Sequence, residues 1–189
     1  MSKIEVNKII PRTGTTLSLG DSGDTLTLTS GAKTSGFGKI GQVVHAETNT
    51  VNTVTGITFA DSGLSASITP SSTSSKIYIS ISQLVLVERP SSTYAFGGLR
   101  LLRGSTSIYS PNPEDGSGTF GIGVQLSSTN LANFRTFFPL VYLDSPSTTS
   151  QVTYKTQMRA YTSTGKIKAQ TAGSNQNGRS SIILMEVLD

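Results

Sequence analysis

Polar and apolar residues alternate along most of this chain with a period of two. The clearest stretch runs from Phe59 to Ile81. Leu64, Ala66 and Ile68 alternate there with Ser65, Ser67 and Thr69, and Pro70 closes the run. Ser71 to Ser75 supply a hydroxyl-rich loop, after which Ile77, Ile79 and Ile81 alternate with Tyr78, Ser80 and Ser82. A strand turns successive side chains to opposite faces, so each run predicts a strand with one face toward a core. Asp61-Ser62-Gly63 reads as a turn before the first of them. The same pattern predicts strands at Gly41–Glu47, Leu64–Thr69, Lys76–Val87, Tyr94–Arg103, Phe120–Leu126, Phe134–Asp144, Gln151–Tyr161, Lys166–Gln170 and Ser181–Leu188. Short strands at this spacing are those of an all-β sandwich or barrel. No long helix is expected. The best helical window, Leu131 to Phe138, is rich in Phe and ends at Pro139, which fits a strand at least as well.

Two runs break the alternation by being apolar at successive positions: Leu84 to Val87, and Ile182 to Leu188. A strand with one solvated face should alternate, so a doubly apolar run implies a second buried surface. A subunit interface is the expected cover, with a loop of the same chain as the alternative. Ile183, Met185 and Val187 are the interface candidates on the second run.

Residues 1–38 follow a different pattern. Leu17-Ser18-Leu19 and Leu26-Thr27-Leu28 flank the turn residues Gly20 to Asp24, which predicts two short strands. An isolated hairpin of that size is marginal in water and needs partners. If the partners are copies of the same chain, Leu17, Leu19, Leu26 and Leu28 meet on a symmetry axis as a short β-stalk. Ser30 to Gly38 has linker composition. The expected organisation is an N-terminal attachment and trimerising segment at 1–38 and a head domain at 39–189.

Composition agrees with β-structure and narrows the partners. Only 14% of the 189 residues are charged, while Ser and Thr number 55, so the surface is hydroxyl-rich. The net charge of +4 is spread over 15 scattered Lys and Arg, without the stripe that marks a nucleic-acid binder. No apolar run approaches the roughly 20 residues of a membrane helix. Neither nucleic acid nor membrane insertion is expected. With no cysteine, disulfides and thiolate metal sites are excluded.

Candidate chemistry is sparse. His45 is the single histidine, on a probable strand, which points to a structural or surface position. Glu114 and Asp115 are adjacent in a loop, as a solvated turn would have them. Two G-x-G-x-x-G matches, at Gly36 and Gly116, lead into strands, whereas the phosphate-binding motif opens a helix. No cofactor, metal or catalytic set is expected, and the chain is read as non-enzymatic. Binding suits the loops better, where Arg89, Tyr94, Tyr109, Glu114, Asp115, Asn175, Gln176, Asn177 and Arg179 are the receptor-contact candidates.

The segment KIEVNKIIPRTGTTLSLGDSGDTLTLTSGA resembles the opening of fibre proteins from tailed phages of marine and cyanobacterial hosts. FADSGLSASITPSSTSSKIYISI, LRLLRGSTSI, VYLDSPSTTSQVTYKTQMRAY and SSIILMEVL resemble the C-terminal domain of the same proteins. The resemblance implies a virion structural protein, assembled in the host cytoplasm as a homotrimer. It implies an N-terminal segment that meets other virion proteins, and a jelly-roll-like head whose loops contact a host-surface glycan. A decoration protein of capsid or tail, and a polysaccharide depolymerase, are the alternatives.

Overall fold

The computed structural model describes residues 39–88, 94–110, 122–125, 133–173 and 176–188. All of them belong to one unit, Gly38–Asp189. The expectations for Leu17, Leu19, Leu26 and Leu28 fall outside the described residues.

Every regular element among the described residues is a strand: β1 (Ile40–Thr48), β2 (Asn52–Thr55), β3 (Ala60–Ile68), β4 (Lys76–Glu88), β5 (Tyr94–Arg103), β6 (Thr106–Tyr109), β7 (Ile122–Gln125), β8 (Asn133–Asp144), β9 (Val152–Ala160), β10 (Lys166–Ala169), β11 (Thr171–Gly173), β12 (Gln176–Asn177) and β13 (Ser180–Val187). The nine strands expected from the alternation are present within a few residues of their predicted ends. The short β2, β6, β11 and β12 were not foreseen.

One sheet runs β1-β13-β4, continues through β10 and β2, and has β8 on the other side of β4. The second runs β3-β9-β5-β6, with β7 also paired to β5. All pairings are antiparallel. Taking β1, β3, β4, β5, β6, β8, β9 and β13 as first to eighth along the chain, the sheets order them first-eighth-third-sixth and second-seventh-fourth-fifth. That is the strand order of a jelly roll, and the domain is an all-β, jelly-roll-like sandwich. Pro139 is tolerated within β8 because, among the described residues, that strand pairs with β4 alone and lies at a sheet edge.

The inward residues form two apolar clusters. One gathers Leu64, Ile68, Ile77, Ile79, Ile81, Leu101, Leu140, Tyr154, Ile182 and Leu184; the other gathers Val54, Val85, Val87, Leu99, Met158 and Ile167. A polar seam separates them. Thr156 donates to Gln83 Oε1 at 2.7 Å and hydrogen-bonds Ser62, and all three side chains are fully buried. The seam lies where β4 exchanges its neighbour β13 for β10. At that junction the Leu84 N–H donates to Ser180 Oγ at 3.0 Å and its carbonyl accepts from the Gln170 N–H at 3.0 Å. The backbone groups that the exchange leaves without a ladder partner are thereby satisfied.

Two expectations are corrected. Asp61-Ser62-Gly63 is no turn between elements but a bulge inside β3. Asp61 pairs with Gln157 and Ser65 with Lys155, so four steps on β3 match two on β9. Gly63 absorbs the excess at φ +86°, a conformation open to residues without a Cβ. The second correction concerns Leu84 to Val87. Val85 and Val87 point into the core, while Leu84 is covered by Gly178 of the same chain, where an added Cβ would fall 2.0 Å from the Leu84 side chain. The cover of that run is internal and needs no subunit interface.

Candidate interaction surfaces

The outer face of β1, β13, β4 and β8 carries an apolar patch, interrupted by His45 and Ser80 and bordered by Lys76, Glu47, Ser181 and Ser82. Antiparallel register aligns Val43, Met185, Tyr78 and Leu143 in one row. The next row is His45, Ile183, Ser80 and Val141, and Ile40 and Val187 continue the surface toward Lys76. Val43, Val141 and Leu143 are 57%, 60% and 51% exposed, and Phe137 is 55% exposed farther along β8. Ile183, Met185 and Val187 are half-buried on this same face, while Ile182 and Leu184 face the core. Strand spacing and rise give these rows a footprint on the order of 450 Å² before side-chain relief. An apolar patch of that extent matches the largest found on typical monomers, which is often functional.

Glu88 at the end of β4 pairs with Asn133 at the start of β8 and with Lys166 at the start of β10, while Tyr94 pairs with Gln125. Of the receptor-contact candidates, Arg89, Glu114, Asp115 and Asn175 lie outside the described residues, as do the side chains of Tyr94 and Gln176. Asn177 is exposed. Arg179 is exposed and forms an ion pair with Glu47 on β1. Tyr109 is half-buried, packing on the larger core cluster and against Tyr142 with ring centroids 6.0 Å apart.

The opposite face, on β3, β9 and β5, is polar. Leu99 and Met158 point inward, so Gly98, Arg100, Gln157 and Arg159 point outward. Phe59, just before β3, lies over Gly98 with Arg100 Cζ 4.3 Å and Arg159 Cζ 4.9 Å from its ring centre. Arg100 donates from Nε and Nη2 to Gln157 Oε1 at 3.0 and 2.7 Å. Gln157 Nε2 donates to Asp61 Oδ1 at 2.7 Å, and Lys155 to Asp61 Oδ2 at 2.9 Å. Partial burial opposes ionisation of Asp61, but the Lys155 and Gln157 hydrogen bonds and the Lys155 charge outweigh it, lowering its pKa. Ser67 and Thr153 extend the surface with paired hydroxyls 2.8 Å apart. Sequence reasoning missed this cluster, since Phe59, Arg100 and Arg159 are far apart in the chain and no local motif joins them.

Two carboxylates, Asp144 and Glu186, are buried. Asp144 accepts from Arg103 Nη1 at 2.9 and 3.0 Å and from the Tyr154 hydroxyl at 2.7 Å. Burial and the Asp144 carboxylate together push the Tyr154 phenol well above its ordinary value. Glu186, 1% exposed, accepts from the Ser71 N–H and hydroxyl at 2.6 and 2.7 Å and from Gln42 at 2.8 Å. Burial alone would raise its pKa, but these donors reverse the sign and lower it. Both carboxylates fasten elements together: Asp144 ties β8 to β5 and β9, and Glu186 ties β13 to β1 and the 69–75 loop. Among the described residues no group of three or more His, Cys, Asp or Glu could hold a metal ion. Compared with known proteins, the chain matches no family model and no curated sequence.

Proposed function

We propose that this chain is a non-enzymatic structural subunit of a tailed-phage virion, a fibre or spike component that assembles with copies of itself. The observation that carries the reading is the apolar outer face of β1, β13, β4 and β8, where Val43, Val141 and Leu143 stand more than half exposed. Such a face is costly in water and is relieved by association. Three copies is the number the phage-fibre resemblance implies. Residues 1–38 are assigned to attachment, and the sandwich displays its connections to a host-surface glycan. Weak individual contacts suffice for adhesion in such an assembly, since several linked heads act at high effective concentration.

The test is the mass of the purified full chain at micromolar concentration. A trimer is expected, and a clean monomer overturns self-assembly. Incubation with bacterial capsule or lipopolysaccharide is expected to release no fragments; their release would end the non-enzymatic reading.

A further inference from the structure

Asn177 and Gly178 form the single Asn-Gly pair of the chain, and every other asparagine precedes a residue that carries a side chain. Packing explains the glycine. A Cβ at position 178 would fall 2.0 Å from Leu84 Cδ2, so the segment that covers Leu84 admits no side chain there. The same lack of a side chain leaves the Gly178 nitrogen unobstructed toward the carboxamide of the residue before it. We infer that Asn177 is a site of spontaneous backbone rearrangement, converting to aspartate and isoaspartate through a succinimide, and that the pairing of β11 with β12 sets its rate.

The chemistry needs these two residues and water. The Gly178 amide nitrogen attacks Asn177 Cγ; a C–N bond forms, the Cγ–Nδ2 bond breaks, and the side-chain nitrogen leaves as ammonia with the proton lost from Gly178. Water then adds to one of the two ring carbonyls. Opening at Cγ leaves aspartate, whereas opening at the Asn177 main-chain carbonyl leaves isoaspartate, whose backbone runs through Cβ and Cγ and is one methylene longer. Asn177 is exposed, so water and hydroxide reach its carboxamide. The folded chain restrains the attacking group: the Gly178 N–H donates to the Gln170 carbonyl at 2.9 Å, and Asn177 is paired with Thr171. Attack requires that hydrogen bond to open. Its support is short, since β11 has three residues and β12 two, and so small a ladder opens at low free energy. Conversion leaves a carboxylate two residues from the Arg179 side chain, which now pairs with Glu47. Isoaspartate also inserts its methylene between β12 and Gly178, against the contacts that Gly178 makes with Gln170 and Leu84.

The test is incubation of the full-length protein in mildly alkaline buffer, in parallel with the same chain unfolded in urea, followed by peptide mapping that separates aspartate from isoaspartate. In the native protein both products are expected at Asn177 ahead of every other asparagine. Their formation is expected to be slower than in urea by about tenfold or more, because a local opening exposes only a small fraction of molecules at a time. That slowing should match the hydrogen-exchange protection of the Gly178 amide. Asn177→Gln, whose longer side chain closes the ring less readily, is expected to stay unmodified over the same period, with circular dichroism unchanged. No product at Asn177 in the native protein once the unfolded chain has converted overturns the inference. Aspartate without isoaspartate would mean direct hydrolysis, and also overturns it. Native conversion as fast as in urea, or a slowing unrelated to Gly178 protection, overturns control by the β11–β12 pair.

Discussion

Glu186 shows how one residue can be misread when only its neighbours in sequence are visible. Within SSIILMEVL it looks like the charged member of an otherwise apolar strand, yet its side chain points inward and ties the 69–75 loop to β13 and β1. Its folded-state pKa lies below the ordinary 4.5. A depressed carboxylate stabilises the fold above its unfolded pKa, and that contribution is lost as pH falls through the folded value. Stability should therefore decline on acidification below about pH 4.5, the ordinary carboxylate range. Glu186→Gln should flatten that decline, measured as denaturation midpoint against pH. At neutral pH the same variant should lose about 2 kcal/mol, because an amide nitrogen would face donors that now meet carboxylate oxygens. An unchanged midpoint and pH profile would remove Glu186 from this role.

At the scale of elements, the outer rows of β1, β13, β4 and β8 explain why Ile182 to Leu188 is apolar at successive positions. Ile182 and Leu184 fill the core, while Ile183 and Met185 join Val43, Tyr78, Val141 and Leu143 outside. The substitution Leu143→Lys tests the outer set without touching the inner one. Leu143 is 51% exposed, so the stability of an isolated subunit should change by no more than about 0.5 kcal/mol. The proposed association should fall by about tenfold or more, since a lysine within an apolar contact must be desolvated or the contact opened. Sedimentation of variant and parent across a dilution series measures it; identical profiles would exclude this face from the assembly.

For the whole molecule, the proposed self-association would make stability depend on concentration, because a partner that binds only the folded chain stabilises it by mass action. The thermal midpoint should rise as the protein is concentrated from micromolar upward, and Leu143→Lys should abolish the rise. A midpoint independent of concentration in the parent chain would leave the apolar face without a self-partner. The expected jelly-roll-like sandwich is present in full strand order, and its two outer faces differ: an exposed apolar patch on β1, β13, β4 and β8, and a polar surface on β3, β9 and β5.

The sequence by itself determined the strands, because a period of two is a local property that Ile77, Ile79 and Ile81 or Leu64, Ala66 and Ile68 display without any knowledge of their neighbours. It also marked Ile183, Met185 and Val187 as apolar residues in excess of what one core needs. Only the tertiary structure decided how the excess is shared. Register across four strands joined them to Val43, Tyr78, Val141 and Leu143, whereas the turn at Gly178 closed over Leu84 from within the chain. The Asp61 bulge and the Phe59 clamp were hidden for the same reason. Strand pairing brings together residues as distant in the chain as Ile40 and Val187, and no pattern confined to a few neighbouring residues records which distant strand will lie alongside.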